Sequence, residues 1–269
     1  MNINNLFKDF EEAVDTETLV FTKNGSPKKK KNTIATEHFV DVYINDVLSM
    51  KLVCSPSYLA ELVLGRLYTE GFIDSLHEIR QLSVCEHGLR VKVFLNKKAN
   101  CESSDFVETT SPCCTGNHIL TDVFRNQNRL PKPVEPIEWH SQAIFDMATR
   151  FYESTPLFDA TRSVHSCYLY QNDQLIVRCE DLGRHNAVDK VVGYALTHDI
   201  DLTKCTLFSS GRIPTDMISK VVNARIPILV TKTTVTDEAI SLARDFHITL
   251  IIYAKEDSFE LVPMEINND

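Results

Sequence analysis

Glu180-Asp181-Leu182-Gly183-Arg184-His185-Asn186-Ala187-Val188-Asp189-Lys190 is the stretch on which the reading of this chain turns. Charged, amide and imidazole side chains crowd its start and return at Asp189-Lys190, yet the run opens an apolar helix extending to Leu196. Just upstream, Val164 to Tyr170 and Leu175 to Cys179 form a hairpin pattern over Asn172-Asp173. A polar run at a strand-to-helix junction has two readings. One is a capped βα turn laced with surface ion pairs. The other is an anion site. Gly183 would take φ > 0 to turn the chain out of the strand, first-turn N–H groups would face the ligand, and Arg184 would offer its planar fork to phosphate or carboxylate.

Working outward favours the second reading. A strand is expected at Thr206 to Ser209 and a turn at Gly211-Arg212. Pro214 then opens a helix with Met217, Ile218, Val221 and Val222 on one face. Ile226 to Val230 reads as a strand, Asp237 to Phe246 as a helix and Ile248 to Tyr253 as a strand. This alternation predicts βαβ units in a mostly parallel sheet. Ligands of such sheets bind beyond the carboxyl ends of the strands. Glu180 to Asn186, Ser209 to Pro214, Thr231 to Asp237 and the residues after Tyr253 converge there, with Arg184, Arg212 and Lys232 among them.

The first half is less regular. Phe39 to Leu52 alternates through a turn at Asn45-Asp46, Ser55-Pro56-Ser57 starts a helix, and Gly71 closes it. Glu78 to Val84 and Leu89 to Leu95 form a further strand pair, and Asn96 to Asn117 carries no element. Pro131, Pro133 and Pro136 stiffen a connection to an amphipathic helix running from Ile137 to Tyr152. We expect a polar segment at 1–36, a smaller α+β domain at 37–130 with a cysteine loop at 96–117, and an α/β domain at 131–269.

Composition sets bounds. The 269 residues are 43% hydrophobic and 24% charged, ordinary for a globular chain. Apolar runs fall far short of the roughly 20 residues a membrane helix needs, and the N-terminus lacks a basic-then-apolar signal. A cytoplasmic location is expected, with no membrane partner. A net charge of −9 argues against nucleic acid as a partner. Lys28 to Lys31, the one basic run, reads as a solvated tail or strand connection. Of eight cysteines, Cys54, Cys85, Cys167, Cys179 and Cys205 sit in apolar alternating segments and read as core. No Cys-x-x-Cys occurs, so a zinc ribbon is not supported and no metal site is expected. Cys113 and Cys114 stand apart in polar loop sequence.

With these residues in view, Glu180 to Lys190 and Ser210-Gly211-Arg212 resemble the FdhD/NarQ family of formate dehydrogenase accessory proteins. That family carries Glu-Asp-Val-Gly-Arg-His-Asn-Ala-Val-Asp-Lys and a later Ser-Gly-Arg. Tyr43-Ile44-Asn45, Ser55-Pro56 and Leu64 to Ile73 resemble its N-terminal motifs, so the likeness spans about residues 37 to 262. The resemblance implies a cytidine-deaminase-like, three-layer αβα C-terminal domain. It also implies a sulfur carrier, in which a loop cysteine takes a persulfide from a cysteine desulfurase. The sulfur is then delivered to a transiently bound molybdenum or tungsten bis-guanine-dinucleotide cofactor destined for formate dehydrogenase. Cysteine desulfurase and formate dehydrogenase apoprotein are the implied partners, and a homodimer is expected.

Carried over residue by residue, Cys113 takes the persulfide and Cys114 is a second thiol. Arg184, His185, Asn186 and Lys190 surround the cofactor's phosphate or guanine portion, with Asp189 orienting Arg184 or His185. Gly211 and Arg212 join them, as does the tail Tyr253-Ala254-Lys255-Glu256-Asp257-Ser258. The chain departs from the family's pattern in three places. The loop has Cys113-Cys114 with Gly116 where the family's second cysteine stands, and vicinal cysteines do not form an ordinary disulfide. Thr161-Arg162-Ser163-Val164-His165 replaces Thr-Gly-Gly-x-His. Ser258 takes the place of a second arginine in the tail. A zinc deaminase on the same fold needs His-x-Glu followed by Pro-Cys-x-x-Cys; Val164-His165-Ser166-Cys167 lacks the Glu. The other reading is a non-catalytic chaperone that binds the molybdenum cofactor.

Overall fold

The computed structural model of the chain describes residues 1–96, 108–110, 132–153 and 155–264. Two six-stranded sheets with helices between them make the body. In the first, the spatial order is β1 (Asn2–Asn5), β6 (Ile79–Val84), β7 (Arg90–Leu95), β4 (His38–Ile44), β5 (Val47–Cys54) and β8 (Glu108–Thr110). The β4–β5 hairpin turns at Asn45 and Asp46 with φ of 49° and 65°, the left-handed pair that a tight hairpin requires. Helix α1 (Leu59–Thr69) lays Leu59, Leu62, Val63 and Leu67 on Val42, Leu52, Leu82 and Val93 of this sheet. It starts after Tyr58 and ends at Glu70, before Gly71 at φ 73°.

Residues 1–36, expected only as a polar segment, carry regular strands. Besides β1, they form a hairpin of β2 (Ala13–Thr22) and β3 (Gly25–Ala35). Lys28 to Lys31 lie exposed within β3, where Lys29 pairs with Glu17 and Lys31 with Asp15, both at 2.7 Å. Both faces of this ribbon meet solvent, so its sequence carries no apolar–polar alternation to betray it.

The second sheet has the order β10 (Gln174–Asp181), β9 (His165–Gln171), β11 (Cys205–Ser209), β12 (Ile228–Thr231), β13 (Thr249–Ile252) and β14 (Glu260–Leu261). The α/β class holds, in mixed form: β11–β12 and β12–β13 pair parallel, while β9–β10, β9–β11 and β13–β14 pair antiparallel. It follows that β10, β11, β12 and β13 all run the same way and end at one edge. β9 runs against them and begins there. Helix α2 (Ser141–Glu153) covers one face through Ile144, Met147 and Phe151 on Tyr168, Phe208 and Val230. The short α3 (Pro156–Thr161) follows it. Helices α4 (Arg184–Thr197), α5 (Thr215–Ala224) and α6 (Asp237–Asp245) cover the other face.

Helix α4 therefore lies between its own sheet and α1 of the other half. Two glycines allow the close crossing: a Cβ on Gly65 would collide with the carbonyl oxygen of Asp189, and one on Gly193 with that of Glu61. Both clashes are with backbone, which no side-chain rotation relieves.

Candidate functional site

The strand ends do what the βα order predicts. Asp181, Ser209, Thr231 and Ile252 close their strands at one edge, and His165 opens β9 at the same edge. Leading out of β10, Gly183 adopts φ −104° and ψ 129°, an extended conformation rather than the positive φ expected of it. The turn is held instead by Asp181, whose Oδ1 accepts the Gly183 N–H at 2.9 Å and the Asn186 Nδ2 at 2.9 Å. In the first turn of α4, the backbone N–H groups of His185 and Asn186 have no partner among the described residues. An anion there would meet free donors at the positive end of a four-turn helix.

Much of the polar run faces inward. Asp181, Asp189 and Lys190 are fully buried and Asn186 nearly so. Lys190 Nζ pairs with Asp181 Oδ2 at 2.7 Å and donates to the Ser55 carbonyl at 3.1 Å. Asp181 Oδ2 also accepts the Ser55 N–H at 3.0 Å, and Asn186 Nδ2 donates to the Val53 carbonyl at 2.8 Å. Asp189 receives Lys220 Nζ at 2.9 Å and the Thr69 hydroxyl at 2.6 Å, with Arg66 at 3.7 Å. Glu70, at 2.6 Å from Lys220, completes this group. The expectations for Asn186, Asp189 and Lys190 are thereby corrected: Asp189 orients neither Arg184 nor His185, and the Asn186 amide and Lys190 ammonium are spent inside. The reason is α1, which packs on α4 and turns these positions into an internal seam where each charge must be matched.

The remaining polar side chains gather at the edge. His185 Nε2 lies 2.8 Å from Asp216 Oδ2, so Asp216 does what had been expected of Asp189. Burial pushes the Asp216 carboxyl up, but the bond to His185 and the nearness of Arg184 bring it below its ordinary value. Gly211 leaves just enough room for Arg184, whose Cβ and Cδ a Gly211 Cβ would meet at 3.0 Å. Ser210 Oγ accepts the Ser166 N–H at 3.0 Å and lies 3.1 Å from His165 Nδ1. His165 was not among the expected site residues. Burial, then Arg184, His185 and Lys232, hold its imidazole below the usual histidine range. His165, Arg184, His185 and Lys232 are thus close enough to act on one another electrostatically.

Lys232, just past β12, sits at the edge where the strand order placed it, although no ligand role was carried over to it from the family. Its ammonium sits 5.3, 5.6 and 5.8 Å from the ring centroids of Phe158, Tyr152 and Phe151. Burial lowers its pKa against an opposing pull from Asp159. Arg212 is exposed at the same edge. In the tail, Tyr253 is exposed at φ 51° and Ala254 is buried, its N–H bonded to the Thr231 carbonyl. Lys255, Glu256, Asp257 and Ser258 form an exposed turn closed by the Lys255 N–H on the Ser258 carbonyl. The tail's backbone thus docks on the site, while its charged side chains point to solvent.

Cys113 and Cys114 lie outside the described residues. Cys54, Cys167, Cys179 and Cys205 are buried, as core cysteines should be, while Cys85 is half-buried. Burial pushes the thiols of Cys179 and Cys205 up to about 12, and those of Cys54 and Cys167 upward as well. None of these four supplies a thiolate near neutral pH.

The fold and site define an α/β protein with a cationic locus at the carboxyl edge of its second sheet. The FdhD/NarQ family model matches residues 35–264, and the chain belongs to that family. It is 29% identical to the sulfur carrier protein FdhD of Bacillus pumilus, over 86% of this chain and 88% of that one. With the FdhD of Bacillus subtilis it shares 27% identity, over 89% and 91%. A crystal structure of a candidate formate dehydrogenase accessory protein from Desulfotalea psychrophila has the same fold. Its TM-score is 0.75 at 24% identity, covering 93% of this chain and 96% of that one. Among the described residues no helix is long and apolar enough to cross a membrane.

Proposed function

We infer that this chain is a cytoplasmic sulfur carrier. It takes a persulfide from a cysteine desulfurase on Cys113 and passes the sulfur to a molybdenum or tungsten bis-guanine-dinucleotide cofactor, its substrate, for use by formate dehydrogenase. The observation that carries this reading is the convergence of Arg184, Arg212, Lys232, His165 and His185 at the strand ends of an otherwise acidic chain. Arg184, Arg212 and the first-turn N–H groups of α4 suit the substrate's phosphates. The exposed ring of Tyr253 suits a nucleobase face. The names of the family relatives support the carrier role.

Loading needs a thiolate. Cys113 attacks the terminal sulfur of the desulfurase persulfide; the donor's S–S bond breaks, its cysteine leaves as thiolate, and the new persulfide sits on Cys113. Chain connectivity supports delivery at the edge. β8 pairs parallel with β5, with Thr110 opposite Leu52. Ser55, just beyond β5, is tied to Asp181 at the site. Cys113 follows Thr110 by three residues, a covalent reach of at most about 11 Å.

The test is activation of formate dehydrogenase apoprotein in the presence of a desulfurase, cysteine and the cofactor. Wild type and Cys114→Ala are expected to activate it, and Cys113→Ala to fail. Full activation by Cys113→Ala would favour the chaperone that binds cofactor without carrying sulfur.

A further inference from the structure

Three lysines of the second half are drawn in from solvent, and they are neutralised differently. Lys190 is matched by Asp181 at 2.7 Å, and Lys220 by Glu70 at 2.6 Å and Asp189 at 2.9 Å. The Lys232 ammonium has no hydrogen-bond or ion-pair partner among the described residues. Its ammonium faces the rings of Phe151, Tyr152 and Phe158. Ring quadrupoles attract a cation without removing its charge. The first two lysines are therefore closed pairs, while Lys232 keeps a whole positive charge in a half-buried setting where electrostatic interactions exceed their strength in water.

Position gives that charge a direction. The Lys232 N–H is bonded to the Ser209 carbonyl, and the Thr231 hydroxyl to the Gly211 carbonyl, so the residue is fixed against the Ser209 to Arg212 turn. Lys232 acts on His165 together with Arg184 and His185. An anion at this edge would find an ammonium with no ion-paired carboxylate to displace among the described residues, only the more distant pull of Asp159.

We propose that Lys232 is a specificity-determining residue of the site: the aromatic cage holds its ammonium ready, and the ammonium selects ligands that carry phosphate. The proposal rests on the reading of this edge as the anion-binding site. The cage does two things. It restricts a flexible side chain, lowering the ordering cost on binding, and it keeps the charge from pairing within the protein.

The test is titration calorimetry of the full chain with guanosine diphosphate and, separately, guanosine. Lys232→Met is expected to weaken the diphosphate about tenfold or more and leave guanosine unchanged, while Lys232→Arg keeps the wild-type preference. Unchanged diphosphate affinity in Lys232→Met, or equal weakening of both ligands, would overturn the proposal and leave the site reading standing. Failure of wild type to bind the diphosphate would sink both. Should Lys232→Met not fold, acetylation of wild type by acetic anhydride, mapped by mass spectrometry, decides the matter. Lys232 is expected to be protected by guanosine diphosphate and not by guanosine, and equal labelling throughout would contradict the proposal.

Discussion

Lys190 and Asp181 show how residue type alone misleads. A lysine near a helix start beside Arg and His looks like a phosphate ligand, yet here it is fully buried against a carboxylate. Burial disfavours the charged amine, but Asp181 outweighs it and raises the Lys190 pKa above 10.5. The pair's contribution to stability is therefore fully present below pH 10.5 and is lost only as pH climbs through the higher folded-state value. Lys190→Met leaves the Asp181 charge buried and unmatched, at an expected cost of about 3–5 kcal/mol. Asp181→Asn combined with Lys190→Met should recover much of that, because Asn retains an acceptor for Gly183. Urea unfolding of Lys190→Met, Asp181→Asn and the double variant measures this, and strictly additive losses would contradict the pairing.

At the scale of elements, the helix-to-helix seam does the positioning. Gly65 of α1 and Gly193 of α4 let the two backbones touch, and the Thr69, Asp189 and Lys220 cluster sits beside that crossing. Gly65→Ala and Gly193→Ala should each destabilise by about 1–3 kcal/mol, despite alanine's better helix propensity. Thermal unfolding reads the loss; a gain in stability would contradict the crossing. The strands and helices of the second half were legible because their apolar spacing and the Asn172-Asp173 turn are local signals. The inward turn of Asn186, Asp189 and Lys190 was not legible. It depends on α1, more than a hundred residues earlier in the chain, and no local pattern reports what covers a helix. His165 escaped the expected site because a lone basic side chain acquires meaning only when topology brings strand ends together, whereas Lys232 was legible at the edge from the strand order alone. The β2–β3 ribbon was missed because neither face is buried.

For the molecule as a whole, the two halves divide the work. The second sheet supplies the cationic edge. The first sheet carries β8, from which the chain continues to Cys113, and the Asp181–Ser55 and Asn186–Val53 bonds fix one half to the other. On this account the chemistry belongs to Cys113 and not to the described cysteines, four of which are buried with raised thiol pKa values. The most direct measurement is mass-spectrometric mapping of persulfide after incubation with a cysteine desulfurase and cysteine. The account predicts an added sulfur on Cys113, lost in Cys113→Ala and largely kept in Cys114→Ala. Persulfide confined to Cys54, Cys85, Cys167, Cys179 or Cys205, or absent altogether, would contradict it.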